Sequence, residues 1–361
     1  MPSLATAEST NATFSPSYIP IAIFVGGTSG VGQAMAEAFA RQTNGRAHII
    51  LIGRSAASAA KIIAGFPQHN GEDGCLHEFV ACDAESIKSV RAVCAGLRAR
   101  LGRFNFLVVS AAGPAANSFT QAVETSEGLN AHLSMRYFMR YSFIKELVPL
   151  LDAARQERQH AHFMSVCGAG LGVPIATDDL GLHEARESSW TFLRGLTPSV
   201  AAIKGMIRGA TYNDALVAYF AAQHPNIAFT HIHPGQVLTA GGSTVGSLGL
   251  LFVPLRWVVD RVKSYMSVSQ DECAQYMLYA LLDTEAQRGM FIRNDHGDLV
   301  GSYVFDADDD VPGWVFNENT PTPTSYKAGV LNGIPVKGYG GSDATVSRLV
   351  KYTEEVLSAI Q

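Results

Sequence analysis

The stretch IAIFVGGTSGVGQAMAEAFAR, residues 21–41, decides how the whole chain is read. Its first five residues are a short apolar run bounded by Pro20 and Gly26, the pattern of a buried strand. A helical pattern follows from about Gly30 to Arg41. Between them stand Gly26, Gly30 and Gly32, interleaved with Thr28, Ser29 and Val31. Glycines at a strand-to-helix turn let the backbone bend sharply. They also let its N–H groups approach a phosphate at the helix N-terminus. A glycine trio by itself says little, but at the start of a βαβ unit it points to a dinucleotide.

Further along, the same alternation repeats. Apolar runs at 47–52, 77–81, 104–109, 162–166 and 227–232 are separated by helical patterns. Helices are expected at 30–41, 56–64 and 84–101, then one ending near 149–151 and one between Pro198 and His224. A helix near 270–282 and an apolar run at 290–293 complete the series. Near-continuous apolar strands alternating with helices mean a parallel sheet covered on both faces. The expected fold is therefore α/β, a doubly wound, mostly parallel Rossmann sheet.

The second strand bears on the cofactor. A carboxylate about twenty residues after the glycine loop would hold the ribose hydroxyls of NAD. That strand ends instead in Gly53-Arg54-Ser55. Arg54 can pair with a 2′-phosphate and no acid there repels it, so NADP(H) is expected.

Composition narrows the class. Of 361 residues, 47% are hydrophobic and only 16% charged. The usual charged share is about 25%, and a disordered chain needs more charge and fewer apolar residues. The net charge of -5, from 27 basic and 32 acidic residues without a basic run, argues against a nucleic-acid partner. At ~150 residues per domain the length suggests about two. The motifs instead spread over one unit, a single domain with insertions. The expected division is a flexible arm at 1–19, a body at 20–305 with a substrate cover at about 240–268, and an extension at 306–361 packing on the body. Cys75, Cys82, Cys94, Cys167 and Cys273 are odd in number and form no CxxC pair. They read as reduced thiols of a cytoplasmic protein. The polar N-terminus is not a signal peptide. The longest apolar stretch, 248–259, is broken by Pro254 and Arg256 and cannot cross a bilayer, so no transmembrane segment is expected. The pairs His160/His162 and His231/His233 have metal-like spacing but no third ligand, and read as structural. No metal is expected.

Seven motifs together resemble the short-chain dehydrogenase/reductase family over about residues 20–300, most closely its fungal secondary-metabolite branch. They are GGTSGVG (26–32), GRS (53–55), Cys82-Asp83-Ala84, SAAG (110–113), ETSEG (124–128), DDLGL (178–182) and HPGQVLT (233–239). The resemblance implies that Gly26, Thr28, Ser29, Gly30, Val31 and Gly32 cradle the phosphates. It places Arg54 and Ser55 at the 2′-phosphate, and Asp83 and Ala84 at the adenine. Ala112 and Gly113 match the end of a motif whose asparagines are here Ser110 and Ala111. Pro234, Gly235, Val237 and Thr239 match the element beside the nicotinamide.

The chemistry positions depart from the family. Its members reduce carbonyls with a Ser, a Tyr and a Lys, supported by an Asn. Here the Ser position falls on Gly168, with Cys167 as the other choice, and Ser165 lies inside the strand. One register puts Val200 at Tyr and Lys204 at Lys; another puts Lys204 at Tyr and Arg208 at Lys. Neither supplies a tyrosine, and the Asn position falls near Arg136. Lys204, Arg208 and Tyr212 follow at i, i+4 and i+8 along one helix face. They are the catalytic candidates: Lys204 for the nicotinamide ribose, Tyr212 as a displaced proton donor. Arg208 and Tyr212 also read as the polar edge of a packed helix, which for Tyr212 is the favoured reading. Asp178, Asp179, His183 and Glu184 are further acid–base candidates, with a solvated loop as the alternative reading. By resemblance, this helix, with Gly205 and Gly209, can form a homodimer interface.

Three functions remain open. The first is an NADP(H)-dependent oxidoreductase for an apolar small molecule, reducing an iminium or conjugated C=C without the usual tyrosine. The second is a non-redox isomerase, dehydratase or cyclase in the same pocket. The third is a catalytically silent NADP-binding protein.

Overall fold

The computed structural model describes residues 2–68, 75–112, 124–170, 173–183, 200–235, 237, 268–283, 287–304, 328–331, 334–337, 339 and 341–360. The strands of the body are β1 (Ile21–Val25), β2 (His48–Gly53), β3 (His77–Ala81), β4 (Phe106–Val109), β5 (His162–Val166), β6 (Ala228–Ile232), β7 (Gly289–Arg293) and β8 (Leu299–Tyr303). They form one sheet in the order β3-β2-β1-β4-β5-β6-β7-β8. All neighbours pair in parallel except β7 and β8, which are antiparallel. This is the doubly wound α/β sheet that the apolar runs predict. The strand order reverses between β1 and β4, where such sheets open a crevice at their carboxyl ends.

Alternation along the strands divides the core into two layers. Ile23, Val25, Ile50, Ile52, Leu107 and Val109 face one side. There they meet α4 (Ile87–Arg100), α6 (Met139–Gln156) and α7 (Val200–Gln223). Ala22, Phe24, Ile49, Leu51, Phe106 and Val108 face the other side. They are covered by α2 (Gly30–Gln42), α3 (Ala56–Ala64) and α8 (Gln270–Leu281). Every one of these twelve strand residues is buried, so each strand reads as a continuous apolar run rather than an alternating one.

Two expectations change. The residues read as a mobile arm carry a helix, α1 (Leu4–Asn11), that packs against α8. Ala7 is buried, and the buried Asn11 donates to the Gln275 carbonyl at 3.0 Å. The long fourth helix does not end at Pro149 but runs on to Gln156. Pro149 lies on its exposed side, where the hydrogen bond it cannot donate leaves a carbonyl open to water. The helix is also preceded by a short α5 (Ala131–Leu133) and a π turn at Ser134–Phe138. Past the body, β9 (Ala328–Leu331) and β10 (Ile334–Lys337) form an antiparallel pair, and α9 (Asp343–Ala359) follows with a Ser342/Thr345 capping box. The substrate-cover stretch and the acidic segment that follows Tyr303 lie almost wholly outside the described residues. No helix among the described residues is long and apolar enough to cross a membrane.

Candidate functional site

The carboxyl ends of β1, β2 and β4 build the first half of the site. Gly26 turns the chain at φ +86°, and its N–H donates to the Ile52 carbonyl at 2.9 Å. A Cβ on Gly26 would sit 2.7 Å from the Ala111 nitrogen. One on Gly32 would sit 2.2 Å from Ser110 Oγ and 2.5 Å from the Gly26 carbonyl oxygen. The loop therefore closes onto the end of β4, and only glycine fits at either place. Ser29 begins α2 without a side-chain cap, which leaves the amides of Gly30, Val31 and Gly32 for an outside acceptor. Gly30 has φ +61°. Thr28 lies against Gly53, whose Cβ would meet its Oγ1 at 2.6 Å.

At the end of β2 Arg54 is exposed. Ser55 is engaged locally: its Oγ accepts from the Ser58 amide at 3.2 Å and so caps α3. Past β3, the exposed Asp83 accepts from the Glu85 amide at 3.2 Å, and the half-buried Ala84 packs on the core. Ser110 Oγ donates to the Val25 carbonyl at 3.1 Å, fastening β4 to β1 beside the half-buried Ala112. Gly113 and Thr239 lie outside the described residues. Beyond β6, Pro234 accepts a hydrogen bond from the Cys273 thiol at 3.3 Å. Gly235 adopts φ +71°, and Val237 bridges to Val268.

On α7 the catalytic candidates separate. Lys204 is exposed. Arg208 donates to the carbonyl of Asp179, which ties it to the loop after β5. Tyr212 is fully buried, stacked edge-on against Tyr137 at 5.1 Å, and its hydroxyl donates to the Leu180 carbonyl at 3.1 Å. Burial pushes its phenol well above the ordinary range. Tyr212 as a displaced proton donor is thus corrected to a core residue. Gly205 and Gly209 pack within the chain: a Cβ on either would strike the Cβ of His132 or Arg136 at 2.7 Å. Asp179 accepts from the His183 amide at 2.7 Å, and Glu184 lies outside the described residues.

The sequence reading missed a polar cluster beneath this surface. Register pairs Ser165 of β5 with His231 of β6, and period two carries Cys167 to the same face. Ser165 Oγ donates to Asn213 Oδ1 at 2.7 Å and accepts from Arg140 Nε at 3.0 Å. Arg140 Nη2 also donates to the Val166 carbonyl at 3.0 Å. His231 Nδ1 and Asp214 Oδ1 are 2.6 Å apart, and both side chains have 0% exposure. His231 Nε2 and Asp214 Oδ2 have no nitrogen or oxygen partner. The imidazole interacts instead with the sulfur of Cys167, which is partly exposed just past β5. His231, with Arg140 and Arg136, outweighs burial and lowers this thiol to about 6. Asp214 and the Cys167 sulfur in turn raise His231 to about 9. By contrast, His162 is a structural residue held by Thr230 Oγ1 and the Leu281 carbonyl. No metal-binding group of side chains occurs among the described residues.

The short chain dehydrogenase family model matches residues 20–161, from β1 up to the residue before β5. Oxidoreductase andH of Emericella variicolor is 28% identical over 280 residues, 77% of this chain and 74% of its own. Oxidoreductase AN1596 of Emericella nidulans is 30% identical over 239 residues, 66% of this chain and 65% of its own. Over residues 20–161 the chain matches the short-chain dehydrogenase/reductase family. Among solved structures, the fold is shared with YwfH, described as an NADPH dependent reductase involved in bacilysin biosynthesis. The TM-score is 0.54 at 15% identity, covering 77% of this chain and 98% of that one. L-sorbose reductase from Gluconobacter frateurii, solved with NADPH and L-sorbose, gives 0.51 at 19% identity, covering 78% and 96%. Cys167 and Gly168 follow β5, and positions 200 and 204 of α7 are Val200 and Lys204.

Proposed function

We propose that this protein is an NADP(H)-dependent oxidoreductase that acts on an apolar small molecule without a tyrosine proton donor. The observation that carries this is the glycine turn. It is pressed so closely onto Ser110 and Ala111 that no Cβ fits, with the first amides of α2 left for a phosphate. Such packing is costly to keep without a ligand to use it. Arg54, exposed where NAD-selective members carry an acid, supports the phosphorylated cofactor, and so does NADPH in the L-sorbose reductase structure.

The phosphate turn and Arg54 would hold the nucleotide, and Pro234–Gly235 would border the nicotinamide, which supplies or takes up a hydride when bound. The rest is set by what the described residues offer. Reducing a ketone leaves an alkoxide that must be protonated at once. Tyr212, buried and bonded to the Leu180 carbonyl, cannot reach it. An iminium is merely neutralised by hydride, and a conjugated C=C passes its charge to a distant oxygen. Both spare the missing residue.

The test is NADPH consumption with a matched panel: a cyclic iminium, an enone and the corresponding saturated ketone, each on an apolar frame. Turnover of the iminium or enone is expected, with the ketone at least about a hundredfold slower, the scale of a lost general acid. Fastest turnover of the ketone would contradict the reading.

A further inference from the structure

The cluster under the nicotinamide side is built for more than packing. Asp214 and His231 are sealed from solvent, each with an atom that no nitrogen or oxygen satisfies. A buried ion pair with unsatisfied atoms costs stability, and its retention calls for a use. Its outer member is Cys167, at the carboxyl end of β5, with its amide bonded to Ile232, two residues before Pro234. The charged groups that face the sulfur are His231 from β6, Arg140 from α6 and Arg136 from the π turn, with Asp214 of α7 behind the imidazole. All three facing groups are cations when protonated, and they hold the sulfur as a thiolate.

The geometry points to Cys167 as a nucleophile that takes an acyl group from an apolar thioester and yields it, after hydride addition, as an aldehyde. This is a further activity of the same pocket, and it rests on the nicotinamide site proposed above. In the first step the thiolate attacks the thioester carbonyl carbon. A new S–C bond forms, the old one breaks, and the substrate's own thiolate leaves. In the second, hydride from the reduced nicotinamide adds to the acyl carbon. The resulting alkoxide collapses to an aldehyde and expels the Cys167 thiolate. The acyl carbon is reduced by two electrons, the nicotinamide is oxidised by two, and no proton is consumed. A sulfur of low basicity is a good leaving group. The absent tyrosine, the stabilised thiolate and the retained phosphate turn then belong to one reaction. His231 and Asp214 are positioning residues, since they act through the sulfur.

The probe is S-octanoyl-N-acetylcysteamine, added first without nucleotide. Peptide mass analysis should find the octanoyl group on Cys167, and NADPH should then discharge it as octanal, captured by a hydrazine. Cys167→Ser should neither hold nor release it. Independently, the rate of iodoacetamide alkylation at Cys167 should rise with a midpoint near pH 6, and Asp214→Asn should move that midpoint up by at least about one pH unit. No acylation of Cys167, or a midpoint above pH 8, overturns the proposal. So does an acyl-Cys167 that survives NADPH in protein shown by calorimetry to bind NADPH. If NADPH does not bind at all, the hydride step and the function proposed above fall together, while acylation without it would leave Cys167 a nucleophile for some other transfer.

Discussion

At the residue scale, Arg54 and the Asp214–His231 pair make separate predictions. A charge-assisted hydrogen bond is worth about 1.5–3 kcal/mol, so Arg54→Ala should weaken NADPH binding roughly tenfold or more and leave NADH unchanged. Equal loss for both would mean that Arg54 does not read the 2′-phosphate. The pair is a matter of stability. Against the pull of burial, Asp214 together with the Cys167 sulfur raises His231 from its ordinary 6.5 to about 9. A group raised on folding contributes fully below its unfolded value and loses that contribution as pH rises through its folded value. Asp214→Asn should therefore cost about 3–5 kcal/mol in urea denaturation at pH 6.5, as expected for breaking a buried pair. The cost should shrink at pH 9.5, and a cost that does not change with pH would contradict the assignment. Tyr212→Phe removes one hydrogen bond, to the Leu180 carbonyl, and should cost about 1 kcal/mol while leaving turnover intact. Loss of turnover would restore Tyr212 as a catalytic residue.

At the scale of elements, the decisive unit is the turn from β1 into α2. Its glycines were legible because strand, turn and helix follow in twenty-one residues and each has its own local signature. Gly32→Ala puts a methyl into the Gly26 carbonyl as well as Ser110 Oγ, and backbone cannot step aside. It should cost about 1–3 kcal/mol in thermal or urea unfolding and abolish nucleotide binding. A stable, binding-competent Gly32→Ala would mean that the turn is looser than the structure has it. Local signals also explain where the reading went astray. Pro149 is a helix stop in most contexts, but on the exposed side of α6 its missing donor harms nothing. α1 has almost no apolar pattern of its own, and Ala7 and Asn11 are buried only because α8 lies across them.

At the scale of the whole molecule, the sheet and the nucleotide half were legible and the polar cluster was not. Strands of a doubly wound sheet announce themselves as apolar runs, and the family motifs sit at their ends. Cys167, Asp214 and His231 are far apart in sequence, and nothing in their spacing marks them. His231 looked like half of an idle HxH pair. Only the β5–β6 register and the cover of α7 bring the three together. The tail is similar. Tyr137 bonds Thr353 at 2.9 Å and Tyr141 donates to Glu354, so α9 seals tyrosines of the π turn and α6. Ending the chain before Ser342 should uncover them and lower the unfolding temperature, with binding of a hydrophobic dye. An unchanged melting curve would show that α9 is dispensable. The account rests most heavily on the claim that a phosphorylated nicotinamide nucleotide occupies the crevice between β1 and β4. Calorimetric titration of the protein with NADPH and with NADH tests it most directly. The account predicts saturable NADPH binding at least about tenfold tighter than NADH, the worth of one charge-assisted contact. NADH binding as tight as NADPH, or no binding of either, would contradict it.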